Sequence, residues 1–151
     1  ISGTTELVDF ADCDFVVEAV FEEMSIKKQV FAGLEKHVSS GCVLATNTSS
    51  LSVAQMAADL DHPERVVGFH FFNPVAVMPL VEIVRGPATD NDTLATAFAI
   101  AKTLKKNAVL VKDATGFVVN RLLLRLLAEI FAAVDEGTPV EIADAALRPL
   151  G

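Results

Sequence analysis

Along most of the chain short apolar runs alternate with longer stretches of helical period, and near the end the helical period stands alone. Phe15 to Val20 is an apolar run with acids on both sides, Asp12 and Asp14 before it and Glu22 and Glu23 after it. That pattern predicts a buried parallel strand. Ile26, Val30, Leu34 and Val38 then recur at helical spacing, with Ser25 as N-cap and Gly41 closing the segment. Cys42 to Thr46 predicts a second strand, followed by the polar Asn47-Thr48-Ser49-Ser50 and a helix opened by Ser52 with Gln55. Arg65 to Phe69 and Leu80 to Val84 predict the third and fourth strands. Leu94, Phe98, Ala101 and Leu104 mark the next helix, with Asp90 and Asp92 at its start and Lys102, Lys105 and Lys106 at its end, as the helix dipole prefers. Ala108 to Val111 is the fifth strand.

Strands and helices alternating in this way imply right-handed crossovers and a mostly parallel sheet, the α/β class. After Lys112 the pattern changes: Phe117 to Glu136 reads as one long amphipathic helix and Val140 to Leu147 as another, with Gly137-Thr138-Pro139 between them. Residues 1–112 are therefore expected to form an α/β unit, and 113–151 a linker and the start of an all-helical one. An open parallel sheet that binds a dinucleotide usually begins with a strand, a Gly-rich turn and a helix, with an acid after the second strand. Those features are missing, so a dinucleotide-binding fold would be represented here by its second half.

Composition narrows the field. With 151 residues, 52% of them hydrophobic, the chain suffices for one real core and not for two complete domains. A net charge of −8 argues against nucleic acid or an anionic membrane surface as partner. Cys13 and Cys42 lie beside or inside apolar runs without metal-ligand spacing, which predicts two reduced thiols and no metal site. The most apolar stretch, Leu122 to Val134, is broken by Arg125 and Glu129, so no membrane span is expected. The first residue is Ile1, and both ends read as cut from a longer polypeptide.

Candidate chemistry gathers between Asn47 and Glu82. Glu82 sits in Leu-Val-Glu-Ile-Val, where a carboxylate amid β-branched neighbours either faces solvent at a strand end or is buried and requires a partner. His70, after an apolar run, is either a satisfied structural residue or that partner. A carboxylate on one ring nitrogen fixes the tautomer and leaves the other nitrogen as a base. Ser49 and Asn73 are either turn formers or polar groups aimed at a ligand, and Asn120 is a polar side chain in the first turns of an apolar helix. Glu18, Glu22 and Lys27 read as a solvated charged face; alternatively Glu22 or Lys27 contacts the ribose or phosphate of a ligand. Ser49, His70 and Glu82 also have the residue types of a hydrolytic triad, but Ser49 lacks the glycine-flanked elbow of an α/β-hydrolase nucleophile.

Asn47-Thr48-Ser49-Ser50-Leu51, His70-Phe71-Phe72-Asn73-Pro74, Leu80-Val81-Glu82 and Gly116-Phe117-Val118-Val119-Asn120-Arg121 together resemble the signature segments of the L-3-hydroxyacyl-CoA dehydrogenases, in that family's order and over essentially the whole chain. The resemblance implies the second half of a Rossmann-like NAD-binding domain followed by the start of a helical domain that forms a homodimer. It further implies NAD-dependent oxidation of an L-3-hydroxyacyl-CoA to the 3-ketoacyl-CoA in fatty-acid β-oxidation. In that reading His70 is the catalytic base and Glu82 orients it. Ser49 and Asn120 hold the reacting oxygen and help position the acyl-CoA substrate, while Glu22, Lys27, Asn73 and Ser49 line the cofactor. Met78 to Gly86 leans toward multifunctional β-oxidation proteins, in which the dehydrogenase is fused to an enoyl-CoA hydratase. The compartment implied is the cytoplasm in a bacterium, or the mitochondrion or peroxisome in a eukaryote. Thr115 stands where family members commonly carry Pro, and without a phosphate-binding turn the isolated fragment is expected to bind NAD weakly and turn over little. A family relative kept only for nucleotide binding or structure is the alternative.

Overall fold

A computed structural model describes residues 2–148. The elements follow in the order β1 (Phe15–Glu18), α1 (Met24–Glu35), β2 (Val43–Thr46), α2 (Val53–Ala57), β3 (Val66–Phe71), β4 (Leu80–Arg85), α3 (Asn91–Thr103), β5 (Asn107–Lys112), α4 (Val119–Asp135) and α5 (Val140–Leu147), with short 3-10 turns at Leu7–Phe10 and Pro63–Arg65. The described residues form two compact units, one up to Phe117 and one from Val118 onward.

The first unit is built on a five-stranded sheet in the order β1-β2-β3-β4-β5. β1, β2 and β3 are parallel, β4 runs antiparallel to β3, and β5 is parallel to β4. The sheet is thus mostly parallel, as expected, with one reversal that the run of apolar residues did not signal. Its two faces have separate cores, because successive strand residues point to opposite sides. Leu44 and Val66 pack with Phe31 and Leu34 of α1 and Met56 of α2 on one side. Val43, Ala45, Val67 and Ile83 pack with Leu94, Ala97 and Ala101 of α3 on the other.

Gly68 is required by this packing. A Cβ there would lie 2.5 Å from Cβ of Val84 across the β3–β4 ladder, so the two strands approach only because the side chain is absent.

Several elements depart from the sequence reading. β1 ends at Glu18 and lies at the edge of the described sheet, which leaves Val17 exposed, where a fully buried strand was expected. α1 begins at Met24 with Glu23 at its N-cap, and the expected cap Ser25 instead donates to the Glu23 carboxylate. The face that α1 buries carries Lys27, Phe31 and Leu34, while Ile26 and Val30 are only half-buried. Ser52 caps α2 as expected, and Asp90, expected only as a charge at the start of α3, is its cap, each accepting from the amide three residues on.

The second unit pairs α4 with α5, and Leu127, Ile130 and Val134 face Ala143 and Leu147 across a cleft of about 280 Å³. α4 starts at Val119, later than Phe117, because Gly116 and Phe117 take φ values of 73° and 49° and cannot continue a helix. Cys13 and Cys42 are free thiols, and burial pushes the Cys42 thiol up. Among the described residues no helix is long and apolar enough to cross a membrane, and no cluster of potential metal ligands occurs.

Candidate active site

The candidate residues of the first unit collect at the carboxyl ends of β1, β2 and β3, where open α/β sheets receive ligands. β3 extends to Phe71, so His70 belongs to the strand itself. The reversal of β4 places Glu82 directly opposite His70 in the antiparallel register. On neighbouring strands such directly opposed side chains meet, and here Nδ1 of His70 lies 2.8 Å from Oε2 of Glu82. Glu82 is fully buried at 0% exposure and His70 retains 6%. Phe72 and Phe117 flank the imidazole, with ring centroids 4.6 and 5.6 Å away. A carboxylate can only accept, so Nδ1 is the protonated nitrogen and Nε2 the basic one.

The connection between β3 and β4 is held from outside. The ammonium of Lys106 donates to the carbonyls of Val75 and Met78, and the amide of Asn107 donates to Pro79 O at 2.7 Å. Lys106, read from sequence as a charge at a helix end, thus anchors the segment that joins the two partners of the pair. Asn73 lies exposed in that segment.

Ser49 follows β2 in a turn that is tied on two sides. Asn47 Oδ1 accepts from the amide of Phe71 at 3.0 Å, which fastens the turn to the strand carrying His70. Glu22 Oε1 accepts from the Ser49 amide at 2.9 Å, from Ser49 Oγ at 3.4 Å and from Thr48 Oγ1. Burial alone would raise the Glu22 carboxyl, but these bonds and the nearby Lys27 hold it below its usual value.

Behind Glu22 the charges run inward. Lys27 Nζ lies 3.2 Å from Glu22 Oε2 and 2.8 Å from Glu18 Oε1, with Lys27 at 1% exposure and Glu18 at 3%. Glu18 and Lys27 are therefore not the solvated face that is their commonest role; only Glu22, its side chain 40% exposed, reaches the surface. From sequence alone, Glu18, Thr46, Asn47 and Thr48 carry no ligand or catalytic role. The one available signal was Glu18 itself, a carboxylate inside an apolar strand like Glu82.

Asn120 is the second residue of α4 and is half-buried; it belongs to the second unit. The first unit thus brings together His70 with Glu82, and Ser49 with Glu22 and Lys27.

A sheet with acid–base and polar side chains at its carboxyl edge and helices on both faces is of the dinucleotide-binding α/β class, Rossmann-like in type. Residues 1–114 match the family model described as the NAD-binding domain of 3-hydroxyacyl-CoA dehydrogenase. The chain belongs to the 3-hydroxyacyl-CoA dehydrogenase family. It is 41% identical over its whole length to the fatty acid oxidation complex subunit alpha of Vibrio cholerae, of which it spans 21%. Among solved structures, it is similar to FadB2 of M. tuberculosis, with 44% identity and a TM-score of 0.90 over 95% of this chain and 52% of that one. The 3-hydroxybutyryl-CoA dehydrogenase of Escherichia coli is 38% identical, with a TM-score of 0.92 over 96% of this chain and 31% of that one.

Proposed function

We propose that the protein to which this chain belongs oxidises the hydroxyl of an L-3-hydroxyacyl-CoA to the 3-ketoacyl-CoA, a step of fatty-acid β-oxidation, with His70 taking the hydroxyl proton. The observation that carries this reading is the 2.8 Å contact between His70 Nδ1 and Glu82 Oε2. A secondary alcohol is a very weak acid, so its proton must be removed as the carbon-bound hydrogen departs, which is the work of a positioned base. Nε2 of His70 accepts that proton, and the buried Glu82 carboxylate at the far nitrogen stabilises the imidazolium. Ser49 and Asn120 hydrogen-bond the reacting oxygen and help position the substrate.

NAD, when bound, accepts the hydride. The residues present suit it: Glu22 offers a carboxylate held in its ionised, acceptor form at the surface beside Ser49, a fitting partner for ribose hydroxyls. Glu22, Asn73 and Ser49 line the nicotinamide and ribose side, whereas Lys27, expected there too, is buried behind Glu22 and acts on the cofactor only through it. Residues 1–112 act as the second half of the Rossmann-like domain and 113–151 as linker and beginning of a helical domain through which the parent protein dimerises. A longer multifunctional parent, with an enoyl-CoA hydratase region, suits the likeness to a subunit of which this chain spans only 21%.

The test is His70→Gln in the full-length protein. NADH consumption with acetoacetyl-CoA is expected to fall roughly 10²- to 10⁴-fold while NADH still binds. Turnover close to that of the unaltered protein would remove His70 from the mechanism.

A further inference from the structure

We propose that Glu18, which touches neither ligand in the reading above, is a positioning residue that sets the cofactor site's preference for oxidised over reduced nicotinamide, by balancing Lys27 so that the trio of Glu18, Lys27 and Glu22 keeps one net negative charge. The proposal rests on the assignment of Glu22 to the nicotinamide side.

The Glu18 carboxyl has donors on both of its oxygens. Its oxygens accept from the Val20 amide at 2.6 Å, from Thr46 Oγ1 at 2.7 Å and from Lys27 Nζ at 2.8 and 3.1 Å. A buried ammonium shared between two carboxylates leaves the trio with one surplus negative charge. Glu18 and Lys27 are interior, so the end of this net-negative trio that meets the surface is Glu22. Without Glu18, Lys27 would cancel Glu22 instead, and the face would become neutral. The oxidised nicotinamide ring is positively charged and the reduced ring is not, whereas ribose and phosphates are common to both. With Glu22 on the nicotinamide side, the net charge of the trio therefore separates the two forms, which a change of packing without a change of charge does not.

The experiment compares dissociation constants for NAD⁺ and NADH, without substrate, in the full-length protein. With Glu18→Gln the ratio of the NADH constant to the NAD⁺ constant is expected to fall roughly threefold. Thr46→Val, which removes a hydrogen bond to Glu18 but no charge, should leave the ratio at its original value. The double substitution Glu18→Gln with Lys27→Met removes one charge of each sign and should restore the ratio. If Glu18→Gln does not fold, Lys27→Met is read in its place: it removes a positive charge from the same trio, so the ratio should rise, and a ratio that falls or does not move overturns the proposal. An unmoved ratio in Glu18→Gln, an equal shift in Thr46→Val, or a double variant whose ratio stays low overturns the proposal. An unaltered protein that binds neither nucleotide overturns the assignment of Glu22, and the proposal with it.

Discussion

Two ion-pairing systems stand at the same edge of the sheet, and they are built on opposite plans. His70 and Glu82 are an acid and an imidazole in contact because two strands run in opposite directions. Glu18, Lys27 and Glu22 form an open chain, contributed by a strand, a helix and the loop between them, that runs from the interior to the surface. The couple concentrates its effect on one ring nitrogen, as proton transfer requires. The chain distributes charge and fixes a turn. The contrast teaches that a buried carboxylate is not a single kind of signal: one is matched by an imidazole across a sheet, the other by an ammonium that it shares with a second acid.

The comparison can be sharpened by breaking each system in turn. Glu82→Gln keeps the volume and an acceptor for Nδ1–H but removes the charge that stabilises the imidazolium. Turnover of the full-length protein should fall roughly 10²-fold, with affinity for NADH little changed. Steady-state rates and nucleotide titration check this, and unimpaired turnover would leave the couple without a chemical role. Lys27→Met should act mainly on stability, because it strands Glu18 in the interior: a loss of about 3 kcal/mol in denaturant unfolding is expected. If that variant were as stable as the original, the inner chain would not be held by its charges.

The smallest effect concerns acid. The Glu22 carboxyl is held below its usual 4.5 in the folded state, despite the opposing influence of burial, by Thr48, the Ser49 amide and Lys27. A depressed folded value means that the stabilisation is present above the ordinary carboxylate pKa and is lost as pH falls through the folded one. Thermal melts across the acid range should therefore decline less steeply in Glu22→Gln than in the unaltered protein. Equal slopes would show that Glu22 contributes nothing there.

How far the sequence reveals this molecule follows the same division. Alternation and helical period locate the strands and helices, because those periods are imposed by local backbone geometry. The identity of His70 and Glu82 as partners is readable because an ionisable group among β-branched residues demands compensation. What the chain does not disclose locally is direction. Nothing in Leu80 to Arg85 says that β4 runs against β3, although that reversal is what makes the pair. The burial of Lys27 is hidden for a related reason. Its neighbours Ile26 and Val30 suggest the apolar face of α1, whereas the face chosen by the fold is the one from which an ammonium reaches Glu18. Lys106 and Asn47 likewise make contacts across long stretches of chain, which no window of sequence contains.

The cross-strand placement of His70 and Glu82 has one more consequence. Their separation is dictated by the repeat of a backbone ladder and not by the residues that join the two strands. The part of that hairpin beyond Asn73 and Pro74 is accordingly at liberty to change its side chains, while the ring and the carboxylate keep their gauge.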